Sequence, residues 1–399
     1  MKIAIWISSI LGCATLAVAL PAVQADTAAH QPAPAYPIGT GKGRNARAVG
    51  RLFEIDGRVG YFAGSNAWWL AHLSKNSDVD TAFKQVAKTQ YKVLRVWGFG
   101  DVTSLPDPLA TDPNKVYFQF LNSTGGYINY GRDGIQRLDY VVSAAEKYGV
   151  KLVLNFVNNW GDYGGIAAYT RAFGANATQW FTDPTSQTVY RAYIKTLVTR
   201  YAKSSAIFSW ELANEPRCNG CDTSVITNWA TDVSAYIKKL DPNHMVTLGD
   251  EGWFAPANNI GDGSYAYSGS EGVDFVRNLK ISTLDYGTFH LYPDSWGYEY
   301  EWGAEWIQEH DAVGKKSGKP IILEEYGAPF PNNHTAIEKP WQDAVLKSGL
   351  AADQIWQFGT HDLSIPGPVY SDVNTIYYNE TEYRILGKEH AAAMLAKRA

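Results

Sequence analysis

The runs KLVLNFVN (Lys151–Asn158) and AIFSWELAN (Ala206–Asn214), with TSQTVYRAYIKTLVTRY (Thr185–Tyr201) between them, decide the fold. Both flanking runs are short and almost continuously apolar, as strands buried on two faces are. The middle segment sets Val189, Ile194, Leu197 and Tyr201 on one stripe at helical spacing. Strand, helix and strand in that order form a crossover unit. Its strands run parallel, because the helix carries the chain back outside the sheet.

The same alternation extends in both directions. Upstream lie Gly60–Asn66 and Tyr91–Trp97; downstream lie Met245–Gly249, Tyr286–Tyr292, Pro320–Tyr326 and Gln354–Phe358. Helical stripes recur over Arg132–Tyr148, which stops at Gly149, and over Thr223–Leu240, which ends before Pro242. Trp302–Lys316 and Pro340–Leu350 repeat the pattern. Eight such runs predict an α/β fold, a single closed (β/α)8 TIM barrel over residues 45–399. An open doubly wound sheet is the rival, and the first run is not followed by the Gly-rich phosphate loop that would mark it.

With 45% hydrophobic and 19% charged residues over 399 positions, the chain is neither disordered nor a coiled coil. With a net charge of −5, nothing marks the chain as a binder of nucleic acid, and none is expected as a partner. Aromatic residues reach 14%, enough to fill a core or to line a groove for flat, uncharged ligands. Residues 1–25 combine Lys2, an apolar run from Ile3 to Leu20 and the small-residue end Val23-Gln24-Ala25, the parts of a secretory signal peptide. The alternative is a membrane anchor; no other stretch is apolar enough to span a bilayer. Residues 26–44, rich in Ala, Pro and Gly, read as a flexible leader. Cys13 lies in the signal segment, and the remaining Cys218 and Cys221 in RCNGC lack the second pair a zinc site needs. A short disulfide pinning a loop is expected, and four N-x-S/T sequons at Asn122, Asn176, Asn333 and Asn379 fit a secreted glycoprotein.

In a barrel of this kind the chemistry sits at the C-terminal ends of the strands. Those ends carry Asn66, Arg95, Trp97, Asn158, Asn159, Asn214, Glu215, Asp250, Glu251, His290, Tyr292, Glu324, Glu325 and Trp356. Glu215 and the Glu324–Glu325 pair close the fourth and seventh runs, nearly across the barrel from each other. Opposed carboxylates suit glycoside cleavage, one protonated and one ionised. His290 and Tyr292 are placed to tune the second carboxylate, Arg95 beneath it to favour its charged form, and Asn214 to bond a sugar 2-hydroxyl. Because side chains alternate along a strand, only one of Glu324 and Glu325 is expected to face the axis. Glu211 and Glu324 are expected to be structural. Trp68, Trp69, Trp160, Trp253 and Trp296 follow strand ends, where each either stacks on sugar or packs, and of these Trp253 and Trp296 are expected among the substrate-binding residues. Trp210, Trp229, Trp306 and Trp341 read as packing. The His residues show no metal-binding spacing, so neither metal nor organic cofactor is expected.

The motifs LRVWGFGD, NFVNNWGDYGG, WELANEPRC, TFHLYPDSW and ILEEYG resemble the secreted, fungal-type endo-β-1,4-mannanases of glycoside hydrolase family 5, from about Gly60 to Phe358. The resemblance implies Glu215 as general acid/base and Glu325, just before Tyr326-Gly327, as nucleophile. Arg95, Asn214, His290, Tyr292 and Trp356 fall on the family's site positions, with Trp356 as the platform beneath the sugar. Trp97 matches a substrate-contacting Trp, and Arg217 an Arg on the leaving-group side, steadied by Cys218–Cys221. The implied activity is retaining cleavage of internal bonds in mannan, glucomannan and galactomannan by a monomer. An endoglucanase of the same family and a catalytically silent sugar-binding barrel are the alternatives.

Overall fold

All eight expected runs are strands in the computed structural model, which describes residues 31–39, 43–107, 109–110, 114–365 and 372–398. The signal segment expected at 1–25 lies outside them. The strands are β1 (Phe62–Asn66), β2 (Val93–Trp97), β3 (Lys151–Asn155), β4 (Ile207–Glu211), β5 (Met245–Thr247), β6 (Gly287–Leu291), β7 (Ile321–Tyr326) and β8 (Ala352–Ile355). They pair in the order β5-β4-β3-β2-β1-β8-β7-β6, every pair parallel. The chain's last barrel strand thus pairs with its first. At the remaining seam between β5 and β6, Asp285 N donates to Val246 O at 2.8 Å and the Asp285 carboxylate accepts from Val246 N at 2.7 Å.

The crossover helices follow the apolar stripes. Pro184–Tyr201 opens with proline at its first position, and the Asp183 side chain caps it by accepting from Ser186 N at 2.7 Å. Ile135–Tyr148 ends on a left-handed glycine, Gly149, as expected. The helix expected at Pro340–Leu350 instead spans His334–Lys347. Asn333 caps it through Ala336 N at 3.0 Å, so an upstream cap, and not Pro340, sets its start. Among the described residues no helix is long and apolar enough to cross a membrane.

A three-stranded antiparallel sheet (Arg47–Val49, Leu52–Ile55, Arg58–Gly60) lies at the N-terminal ends of the barrel strands. Its Phe53 plugs the barrel floor against Phe62, Phe208 and Tyr286, with ring centroids 5.8, 5.0 and 5.2 Å away. Trp210, Trp229, Trp306 and Trp341 are buried in the layer between sheet and helices, as expected of packing residues.

Two local features depart from expectation. Residues 31–39, half of the stretch read as a flexible leader, are strapped across two helices. Ala35 N donates to Asp139 at 2.9 Å, Gly39 N donates to Glu146 at 2.9 Å, and Arg200 donates to Pro32 O at 2.6 Å. The β6–β7 register also slips, pairing Phe289 with Leu323 and His290 with Glu325, so that Glu324 is skipped. Such a bulge breaks simple alternation, and both Glu324 and Glu325 approach Arg95 in the barrel interior.

Candidate active site

The strand ends surround a cleft of about 450 Å³ whose wall includes Trp97, Asn214, Glu215, Arg217, Tyr292, Trp296, Glu325 and Trp356. Glu215 lies four residues past the end of β4, on a turn and not on the strand itself. Its N donates to Gly249 O at 2.9 Å, while Asn214 N donates to Val157 O at 2.8 Å. These bonds fix the turn between the extensions of β3 and β5. Gly249 must be glycine there: at φ +83° a Cβ would stand 2.0 Å from Ala213 O. Glu215 itself has φ 49°. A non-glycine residue in the left-handed region is strained by about 1–3 kcal/mol, and Pro216 directly after it fixes the chain's exit.

Below the cleft, Arg95 ties the two carboxylate walls together. Its Nε and Nη2 bond the Glu211 carboxylate, Nη2 donates to Asn214 Oδ1 at 2.7 Å, and Nη1 donates to Glu325 Oε1. Asn214 in turn donates to Asn158 Oδ1 at 2.9 Å. The Asn214 amide is therefore engaged by protein on both ends, more fully than a free sugar-binding amide would be. Tyr292 OH donates to Glu325 Oε2 at 2.9 Å, as expected of a residue that tunes the second carboxylate. His290 also acts on Glu325, lowering its pKa, and in addition meets Glu215. Its Nδ1 is 2.7 Å from Glu215 Oε1 and 3.7 Å from Glu325 Oε2. Glu211 and Glu324 are fully buried around Arg95, as expected of structural carboxylates.

Burial pushes both cleft carboxyls up from their ordinary range. For Glu215 this is opposed by Arg217, the Trp160 indole and Arg95; for Glu325 it is opposed by His290, Arg95 and Tyr292. Two carboxyls this close do not both ionise readily. Glu325 has a guanidinium in direct contact together with the Tyr292 hydroxyl, whereas Glu215 is met by the Trp160 indole and the His290 ring. Burial lowers the pKa of His290, and the neighbouring Glu325 carboxylate opposes that fall. Glu215, His290 and Glu325 offer donor atoms within 4.8 Å of one another, a group with the residue types to hold a metal ion. Arg95 already occupies Glu325, and Arg217 lies near Glu215, so a cation entering there would meet two fixed positive charges.

The walls of the cleft are aromatic. Trp160, left between stacking and packing by the sequence, is 42% exposed, and its Nε1 donates to Glu215 Oε2 at 2.5 Å. Arg217 stacks over Trp160 at 4.8 Å and forms a two-pronged pair with Glu251, both bonds 2.6 Å. Burial pushes the Glu251 carboxyl up to about 7, and the Arg217 guanidinium opposes that rise. Cys218 and Cys221 are joined as expected, and Cys218 N donates to Glu271 O at 2.8 Å, holding the loop that carries Arg217. Trp296 and Trp97 line the cleft and are largely buried. Trp253 corrects the expectation of a sugar-stacking residue. It is buried under Trp296 and Tyr265, its Nε1 donating to Glu251 at 3.1 Å, so it reaches the cleft only through other side chains.

Comparison with known proteins agrees with this geometry. The family model described as GH family 5 beta-mannosidase-like matches residues 46–341. The chain is 51% identical over 350 residues to mannan endo-1,4-beta-mannosidase A of Aspergillus aculeatus, covering 87% of this chain and 90% of that one. It is 50% identical over 346 residues to the same-named protein of Hypocrea jecorina, covering 86% and 77%. Among solved structures, the endo-1,4-beta-mannanase from Rhizomucor miehei superposes with a TM-score of 0.79 at 32% identity, over 88% of this chain and 100% of that one. Barrel, paired carboxylates and relatives converge, and the chain belongs to the beta-mannosidase-like proteins of glycoside hydrolase family 5.

Proposed function

We propose that this chain is a secreted endo-β-1,4-mannanase that cleaves internal bonds of mannan, glucomannan and galactomannan with retention of configuration. One observation carries the mechanism. Glu215 and Glu325 present oxygens within 4.8 Å of each other across the cleft. Retaining enzymes hold their carboxyls about 5–5.5 Å apart, whereas inversion needs about 6.5–9.5 Å to admit a water. The curated relatives at about half identity carry the mannan endo-1,4-beta-mannosidase name, which supports the substrate class.

In the first step, protonated Glu215 gives its proton to the glycosidic oxygen while Glu325 attacks the anomeric carbon. The C–O bond breaks, the leaving chain departs as an alcohol, and a glycosyl-Glu325 ester forms. Glu215, now a carboxylate, then takes a proton from water as the water oxygen attacks the same carbon and releases Glu325. Arg95 and the Tyr292 hydroxyl stabilise Glu325 as an anion before attack and again as leaving group. Trp356 is the platform under the reacting sugar. Trp97 and Trp296 shape the walls, and Arg217 holds the leaving-group side. No metal or organic cofactor enters these steps. The enzyme acts as a monomer.

The test measures reducing-sugar release from galactomannan and carboxymethyl cellulose, with the anomer of the first product read by proton NMR. Release from galactomannan with the β-anomer first is the expected result. Activity on the cellulose derivative alone would overturn the substrate class, and the α-anomer first would overturn the mechanism.

A further inference from the structure

The Trp356 indole is held from one side by a residue outside the strand-end set. Trp356 Nε1 donates to Asp372 Oδ2 at 2.6 Å. The same oxygen accepts from Gln357 Nε2 at 3.2 Å, and Gln357 Oε1 accepts from Trp69 Nε1 at 3.1 Å. The other oxygen of Asp372 is turned inward on its own loop, accepting from Asn374 N at 2.9 Å and Thr375 Oγ1 at 3.1 Å. The carboxylate is thus oriented from behind by its own turn and presented to the indole. That turn is also joined to the nucleophile strand's exit. Phe330 N donates to Val373 O at 2.7 Å, and a Cβ on Gly327 would stand 3.0 Å from Trp356 O and 3.1 Å from Asn374 Cβ.

We propose that Asp372 is a positioning residue for the sugar platform: its carboxylate fixes the plane of the Trp356 ring, so that the indole face, and not its edge, meets the sugar at the cleavage point. The proposal rests on the reading of Trp356 as that platform. A ring free to turn about its χ2 torsion loses stacking contact with the flat C–H face of a sugar, whereas a ring anchored at Nε1 meets the substrate already oriented. An exposed indole N–H would satisfy itself with water, so the bond to Asp372 is not needed for the fold. Its consequence is the angle of the ring.

Three variants and two readouts test this. Asp372→Ala removes the acceptor, Asp372→Asn keeps an acceptor oxygen, and Trp356→Phe keeps a flat ring without the N–H. On galactomannan, Asp372→Ala is expected to lower kcat/KM about tenfold, the cost of one charge-assisted hydrogen bond, without moving the pH profile. Asp372→Asn restores most of it. In the Trp356→Phe background, Asp372→Ala costs nothing further. Equal losses with and without the indole N–H would show that Asp372 only supports its loop and would overturn the proposal. The second readout needs no substrate: in 15N-labelled protein, the Trp356 indole N–H signal is expected to shift and exchange faster in Asp372→Ala. An unchanged indole signal would also overturn the proposal. A wild-type protein inert on every β-mannan would instead sink the functional reading, leaving the indole signal to decide the Asp372 contact.

Discussion

The two ends of the barrel are built from the same eight strands and do opposite things. At the floor, Phe53, Phe62, Phe208 and Tyr286 meet edge to face among Val93, Val153, Met245 and Ile322, and the buried surface is nearly all carbon. At the mouth, Asn66, Arg95, Glu211, Asn214, His290, Glu324 and Glu325 are just as deeply buried, and each is a polar group taken out of water. Burial at the floor stabilises without conditions, because apolar area gains wherever it is placed. Burial at the mouth stabilises only while the hydrogen-bond and charge partners are in register, and it raises the carboxyl pKa values that general acid chemistry requires. One end holds the cylinder closed, and the other uses that closure to keep like charges adjacent.

If this division is right, variants at the two ends should separate stability from turnover. The largest effect belongs to Glu325→Ala, which is expected to lower kcat by about 10⁴-fold or more while leaving the thermal midpoint unchanged or raised, since one of several crowded carboxyls is gone. Kinetics on mannan beside a thermal melt would check it, and substantial residual turnover would remove Glu325 from its role. Next, Phe53→Ala at the floor is expected to cost about 3–5 kcal/mol of stability by opening a cavity where four rings meet. Its kcat per folded molecule should stay within about twofold of the parent, in keeping with a floor that serves stability. Denaturant unfolding paired with activity at low temperature measures both, and a mouth-like loss of turnover would break the contrast.

The smallest effect sharpens the comparison within the mouth. The Trp160 N–H bond stabilises the ionised form of Glu215. Without that donor the Glu215 carboxyl titrates higher, so its acid form persists to higher pH. Trp160→Phe should therefore move the alkaline limb of the kcat/KM profile upward, by about one pH unit or less, with the acid limb set by Glu325 in place. A shift to lower pH would contradict the assignment of Glu215 as the proton donor.

Much of this was legible before any coordinates. The eight runs declare themselves because a strand covered on both faces must be apolar at nearly every position, a property carried by neighbours in sequence. The polar residues that interrupt those runs mark the mouth for the same reason: Arg95, Tyr292 and Glu325 lie at the ends of their strands, and Glu215 on the turn just beyond its own. Trp253 misleads because a tryptophan just past a strand end looks identical whether its face is open or covered by Trp296 and Tyr265. Trp160, with the same local signature, turned out to be the half-exposed one in contact with Glu215. Asp372 left no signal, since nothing local ties a loop aspartate to an indole sixteen positions earlier.

The chain order alone therefore settles the eight alternating units, the parallel sheet and the set of side chains delivered to one rim, because burial patterns repeat over a few residues. Only three-dimensional closure decided which rim residues touch. The skipped pairing at Glu324, the left-handed turn at Glu215 and the contact of His290 with Glu215 each depend on how strands more than thirty residues apart in the chain come into register. A displacement of a single position between such strands, which no local pattern records, determines whether two carboxyls share one proton across a cleft or point to opposite faces.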